Sequence, residues 1–361
     1  MLWFRRLNLA ALVLCFIVVV FGAYVRLSDA GLGCPDWPGC YGHLTVPEAA
    51  HDVAAAKEKF PQRPVESPKA WKEMIHRYLA STLGLLIVSL ALMSLARRED
   101  DTPRVLPWVL VGLVIFQGML GMWTVTWQLK PLAVSGHLLG GMATLSLLLW
   151  MWLSVRDLSA DDSEPPRQNI RSERHAWFVM RREGIGGAPA SMPPAVPAGA
   201  RALAKLGLAL LALQIFLGGW TSSNYAALAC PDFPTCHGSF APETDVKEAF
   251  TLWRGLGINY EHGVLDNRAR VTIHFAHRLG ALAVTSVLLI LAIVLLIHAA
   301  PWRKLGLALA AALVIQVVLG ISIVKLQLPL LLADLHNAGA AALLMVLVVV
   351  NYAVVNHPRV R

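Results

Sequence analysis

"GAYVRLSDAGLGCPDWPGCYG" occupies residues 22–42, and "GGWTSSNYAALACPDFPTCHG" occupies residues 218–238. Each ends an apolar run and carries Cys-Pro-Asp-aromatic-Pro-x-Cys. The phrase recurs because the chain is an internal duplication. "WKEMIHRYLASTLG" (71–84) answers to "VTIHFAHRLGAL" (271–282), aligning His76-Arg77 with His277-Arg278. "QGMLGMWTVTWQLKPLAVSGHLLGG" (117–141) answers to "QVVLGISIVKLQLPLLLADLHNAGA" (316–340), aligning Gln117 with Gln316, Gly121 with Gly320 and His137 with His336. The three offsets are 196, 201 and 199 residues, so only small insertions separate the halves.

Of the 361 residues, 56% are hydrophobic and 15% charged, against about a quarter charged in soluble domains. Eight apolar stretches reach bilayer-crossing length: roughly 8–26, 74–96, 105–126, 133–154, 202–222, 272–298, 304–324 and 333–355. Lipid offers the backbone no hydrogen-bond partner, so these read as helices. The first is too long for a simple signal peptide and has no small-residue cleavage site. The expected fold is an all-α membrane protein, two tandem parallel four-helix bundles. An even helix number per half restores orientation, which relates the halves by an axis along the membrane normal. The expected division is 1–154, a linker at 155–201, and 202–361. The Ala/Pro/Gly-rich linker ("GIGGAPASMPPAVPAGA") reads as mobile.

The stretches on the side of the termini hold 17 of the 31 Lys and Arg but 9 of the 23 Asp and Glu. That excess places both termini in the cytoplasm and the basic loops against lipid headgroups. No nucleic-acid partner is needed to explain it. Cys34/Cys40 and Cys230/Cys236 then fall outside, where disulfides persist. Each pair encloses turn-forming residues and reads as a close disulfide, with reduced thiols or part of a metal site as alternatives. Cys15 reads as a small apolar filler.

His76, His137, His277 and His336 open the even-numbered spans at one depth. Ionisable residues inside a membrane are expensive and mark function. A histidine pair facing across a four-helix bundle suits axial ligation of haem iron, one porphyrin per half; zinc fits less well for want of further ligands. Gly136, Gly140, Gly141, Ala338 and Gly339 would let a flat ring approach, or would simply pack helices. The halves differ where Glu73, three before His76 and so on the same helix face, is replaced by His274. Glu73 is either a reactive carboxylate or a solvated acid favoured by the helix dipole. Arg26, Arg77 and Arg278 are either partners for porphyrin propionates or interfacial side chains reaching lipid phosphates. His43, His51, His237 and His262 read as surface residues. Trp123 and Trp127 read as interfacial belt residues.

At these residues the chain resembles the haem A synthase family. The likeness is carried by the 22–42 motif, "EMIHR", "SGHLLG", "HFAHRLG" and "LHNAGA". It covers nearly the whole chain outside 155–201 and parts of 44–70 and 240–270. Ser28-Asp29-Ala30 departs from the family's usual Thr-Gly-Ser/Ala-like stretch. The resemblance implies oxidation of a haem O methyl to the formyl of haem A. It implies the substrate haem on His76 and His137, Glu73 as the essential carboxylate, and haem b on His277 and His336. Cys34/Cys40 is also a family feature. A haem O synthase and cytochrome oxidase assembly factors are the implied partners, in the plasma (inner) membrane of a bacterium, with self-association into a homo-oligomer left open. The main rival is a diheme b-type electron-transfer cytochrome, which leaves the Glu73/His274 difference unexplained. A transporter is a further rival, for which paired broken helices are missing.

Overall fold

The computed structural model describes residues 2–96, 103–161 and 196–356. Its ten helices, with no named strand among the described residues, are α1 (Leu2–Leu27), α2 (Ala50–Lys59), α3 (Ser67–Leu95), α4 (Val105–Thr126), α5 (Pro131–Asp161), α6 (Ala200–Ser223), α7 (Val246–Ala249), α8 (Asn267–Leu296), α9 (Trp302–Lys325) and α10 (Leu330–Asn356). Eight of these are long and apolar enough to cross a membrane. Most of the 155–201 linker lies outside the described residues. The rest of it is partly helical, since α5 runs on to Asp161 and α6 starts at Ala200.

Within the first half, α1 packs on α3, α3 on α4, α4 on α5, and α5 back on α1. The second half repeats the circuit as α6, α8, α9 and α10. The halves join where α5 meets α6 and where α10 meets α1 and α5. One continuous apolar core runs through both, from Phe4 and Leu12 through Leu145 and Leu148 to Leu288 and Leu347. Asn351, buried in that seam, donates to the carbonyls of Leu347 and Ala204, so its amide is satisfied across the helix pair.

The duplication extends to backbone strain. The α4–α5 turn holds Gln128 and Leu129 at φ 49° and 61°, and the α9–α10 turn holds Gln327 and Leu328 at 58° and 62°. Left-handed backbone is rare for residues with a Cβ, and here it occurs twice in succession at matched places. The hairpin after each cysteine repeats likewise: Tyr41-Gly42 and His237-Gly238 all have positive φ. Asp36 accepts from the Tyr41 and Gly42 amides, and Asp232 accepts from the His237 and Gly238 amides and from Thr235. Those donors favour the ionised carboxylate and hold Asp232 well below the usual carboxylate range.

Loops at the disulfide end of the helices bind the halves together. Arg63 pairs with Glu261 at 2.7 Å. The Tyr260 amide donates to the Gln128 carbonyl in the α4–α5 turn. Arg26 donates to Ser222 O at 2.8 Å and lies over the Tyr225 ring.

Candidate functional site

The helices start further out than the apolar stretches suggest. Ser67–Glu73 and Asn267–Val271 are polar turns that hydropathy alone leaves outside the span. Pro68 in the first turn of α3 and the Asp266 cap on α8, which accepts from the Ala269 amide, begin those turns. His76 and His277 therefore sit between two and three turns inside their helices, whereas His137 and His336 lie in the second turn of theirs.

Each histidine faces a glycine on the preceding long helix: α1 for α3, α4 for α5, α6 for α8 and α9 for α10. A Cβ built on Gly22 would lie 2.7 Å from His76 Cε1, and one on Gly121 would lie 3.5 Å from His137 Cε1. On Gly218 it would lie 3.4 Å from His277 Cε1, and on Gly320 it would lie 3.0 Å from His336 Cε1. The missing side chains let the imidazoles turn into the bundles.

In the first half, the His76 and His137 rings are 6.4 Å apart between centroids and nearly perpendicular, at 80°. Two imidazoles on opposite sides of one metal ion, each with a nitrogen about 2.0 Å from it, have centroids about 6 Å apart. Nδ1 of both rings is buried without a hydrogen-bond partner. Between and around them is a cavity of about 520 Å³ lined by Glu73, Arg77, Arg26, Gly141 and Asn337 as well as the two histidines. That is within the range of ligand sites, about 300–1,000 Å³. The residues fit a flat, mainly apolar group carrying a metal ion at its centre. In the second half, His277 and His336 occupy the matching positions on α8 and α10, and His336 Nδ1 is likewise without a partner. Those two could hold a second such group.

Glu73 is not a solvated helix-start acid. It is 5% exposed, accepts from the Cys34 backbone amide at 2.9 Å and accepts from Arg77 at 2.5 Å. In the second half, the Cys230 amide makes the equivalent contact to His274 Nδ1 at 3.3 Å. The residue three before each histidine is thus held by the backbone of the first cysteine in each loop. Those loops are closed by Cys34–Cys40 and Cys230–Cys236 bonds. Cys15 is free and buried.

Arg77, which lines the cavity, and Arg278 make most of their hydrogen bonds to backbone carbonyls. Arg77 donates to the carbonyls of Asp36, Pro38 and Gly39. Arg278 donates to those of Cys230, Asp232 and Thr235. Each guanidinium is the internal brace of a disulfide loop, a use to which its planar fork of donors is suited. Sequence reading missed this because the acceptors are backbone atoms.

It also missed three glutamines. Gln214 donates to the His277 carbonyl at 3.0 Å, with its Nε2 3.1 Å from His277 Nδ1. Gln316 donates to the His336 carbonyl at 3.1 Å. Gln117, Gln214 and Gln316 occupy space that a Cβ on Gly140, Gly280 and Gly339 would take. Gly140 and Gly339 thus make room for an amide, not for a ring. Gly136 has only an ordinary contact with Leu120, while Gly141 does line the cavity. The visible signal was Gln-x-x-x-Gly, spelled three times.

The remaining expectations fall away from the site. His51 and His237 are exposed, His43 bridges to Cys40, and His262 lies beside Tyr225. Trp123 stacks on Trp127, which meets Trp253 edge-on, and Lys130 lies over Trp253. These tryptophans help join the halves.

Residues 5–348 match the family model described as cytochrome oxidase assembly protein, COX15-CtaA. The chain is 45% identical over 350 residues to the Heme A synthase of Shewanella oneidensis, covering 97% of this chain and 95% of that one. It is 28% identical to the Heme A synthase of Caulobacter vibrioides, covering 92% and 90%. It is 27% identical to that of Allorhizobium ampelinum, covering 94% and 87%.

Proposed function

The chain belongs to the COX15-CtaA family of cytochrome oxidase assembly proteins, and we propose that it is a haem A synthase converting a methyl group of haem O to the formyl group of haem A. The observation that carries the reading is the half-buried pair His76 and His137, spaced as two ligands of one metal ion, with a fixed, buried carboxylate beside them in the same cavity. In this reading residues 1–154 form the substrate half and 202–361 the redox half. His76 and His137 hold the iron of haem O as substrate. Held by His277 and His336, haem b supplies one-electron redox chemistry.

Methyl to hydroxymethyl takes oxygen from one water and releases two protons and two electrons, the electrons passing one at a time to an external electron acceptor by way of the group that His277 and His336 would hold. A second round gives the geminal diol with the same balance, and loss of water leaves the aldehyde. Glu73 faces positive charge developing at the methyl carbon and accepts a proton from the attacking water. The Cys34 amide and Arg77 orient its carboxylate. His274 cannot supply that negative charge, which assigns the oxidation to the first half alone. Gly218 and Gly219 of α6 line the substrate cavity, and Gly218 also abuts His277, so only a thin wall of backbone separates the two centres.

The setting we propose is the bacterial plasma membrane, termini in the cytoplasm and disulfide loops outside. Haem O would come from a haem O synthase, and haem A would pass to cytochrome oxidase assembly factors. The test is co-expression with a haem O synthase, followed by mass analysis of extracted haems. Formyl haem that depends on this chain supports the reading. A purified polypeptide that takes up no porphyrin overturns it.

A further inference from the structure

We propose that the first histidine centre is built to release its porphyrin and the second to retain one, and that Val18 and Leu79 set the difference. The inference rests on the function proposed above.

Three of the four helix pairs share one local design. A helix carrying Gln-x-x-x-Gly faces a helix carrying His-x-x-Gly. It is spelled Gln117–Gly121 against His137–Gly140, Gln214–Gly218 against His277–Gly280, and Gln316–Gly320 against His336–Gly339. The first glycine admits the imidazole, and the second admits the glutamine side chain. In the second half both amides hydrogen-bond to the carbonyl of their histidine, and their Nε2 atoms lie 3.1 Å from a His277 ring nitrogen and 3.4 Å from His336 Nε2. Ring and helix turn are thereby held as one unit.

The pair α1 and α3 departs from this design at two positions together. Gly22 is retained against His76, but Val18 stands where the glutamine would be and Leu79 where its glycine would be. The two changes form a couple. On the register of the other three pairs, a glutamine at 18 needs a small residue at 79, and a glycine at 79 without that glutamine leaves a void, which destabilises a packed core. The result is an imidazole with no glutamine amide beside it. At the opposite ligand, Gln117 fills its slot against Gly140 as its counterparts do. Restraint is therefore graded: both histidines of the second half have an amide packed beside them, and only one of the two in the first half does.

The chemistry calls for that grading. The substrate porphyrin must enter and leave in every catalytic cycle, whereas a redox porphyrin must stay. Partners that orient a metal-ligating histidine typically change metal affinity about 10- to 100-fold, and a pre-organised ligand keeps its metal longer.

The experiment follows haem loss from the purified full-length protein, loaded with protohaem, to excess apomyoglobin by absorbance. The wild type should lose pigment in a fast and a slow phase. Val18→Gln/Leu79→Gly should slow the fast phase by roughly 10-fold or more. Gln214→Val/Gly280→Leu should convert the slow phase into a fast one. A damaged fold does not tighten retention, so the first variant separates positioning from mere structure. If it does not fold, the second variant decides. Folded variants that lose haem at wild-type rates overturn the proposal and leave the haem A synthase reading standing. A wild-type protein that takes up no porphyrin overturns both.

Discussion

The Glu73 carboxylate accepts a hydrogen bond from the Cys34 backbone amide at 2.9 Å, and this ties the only acid of the first centre's histidine-bearing turn to the disulfide loop above it. The second half preserves the bond and changes the acceptor, since the Cys230 amide meets His274. The scaffold is common to the halves and the charge is not. Glu73→Gln keeps an acceptor for the Cys34 amide while removing the negative charge. It is expected to lower formation of formyl haem by about 100-fold or more and to leave the porphyrin content of both halves unchanged. Reversed-phase chromatography of extracted haems together with haem per polypeptide checks both parts. A variant with wild-type conversion would remove Glu73 from the mechanism.

Arg77 and Arg278 form a natural control pair. Both brace a loop through three carbonyls, but only Arg77 also pairs with a buried carboxylate, the two side chains being 13% and 6% exposed. Removing one member of a buried ion pair costs about 3–5 kcal/mol, because a charge is left uncompensated. Arg77→Ala is therefore expected to destabilise the protein more than Arg278→Ala, and to suppress conversion as well. Arg77→Lys should rescue little, since one ammonium cannot replace the guanidinium fork. Thermal unfolding in detergent gives the order. Equal losses from the two alanine variants would show that the loop contacts, not the Glu73 pair, carry the stability.

How much of this was legible in the sequence depends on which atoms carry the information. The eight spans were legible because lipid forces long apolar runs, and the duplication was legible because whole phrases recur. Glu73 was ambiguous because hydropathy starts the second span at residue 74, while α3 starts at Ser67. The polar turn between them belongs to the helix, and the cysteine loop folds over it, turning an apparent edge residue into a buried one. The arginine braces were illegible because backbone carbonyls have no sequence signature. The glutamine–glycine couples were written in plain letters. Glycines near a histidine have two uses, however, admitting a ring or admitting a neighbouring side chain, and only the packing tells them apart.

The glycines facing the histidines offer a graded test of that packing. A Cβ at Gly22 would sit 2.7 Å from His76, closer than carbon atoms tolerate, whereas one at Gly218 would sit 3.4 Å from His277, an ordinary contact. Gly22→Ala is expected to displace His76 and lower porphyrin retention in the first half, and Gly218→Ala is expected to be tolerated. Gly320→Ala, at 3.0 Å from His336, should fall between. Pigment per polypeptide after purification reads the series. Retention that ran in the reverse order would show that these glycines serve helix contact rather than the imidazoles.

Lys130 supplies the last prediction. It sits at the strained α4–α5 turn, only 1% exposed. Its ammonium donates to the Gly255 carbonyl and lies 3.2 Å from the centroid of Trp253, both from the loop between α7 and α8. A buried ammonium is tolerable only with such partners, and a desolvated cation over an indole face is worth about 2 kcal/mol. Trp253→Ala removes the ring but leaves the charge in place, so it should destabilise the protein by about that amount. Lys130→Met removes the charge and keeps most of the volume, which makes the Trp253→Ala change cheaper when the two are combined. A double-mutant cycle on thermal unfolding measures that coupling. Strict additivity would mean that the charge on Lys130 adds nothing to this join and that the tryptophan face contributes only packing.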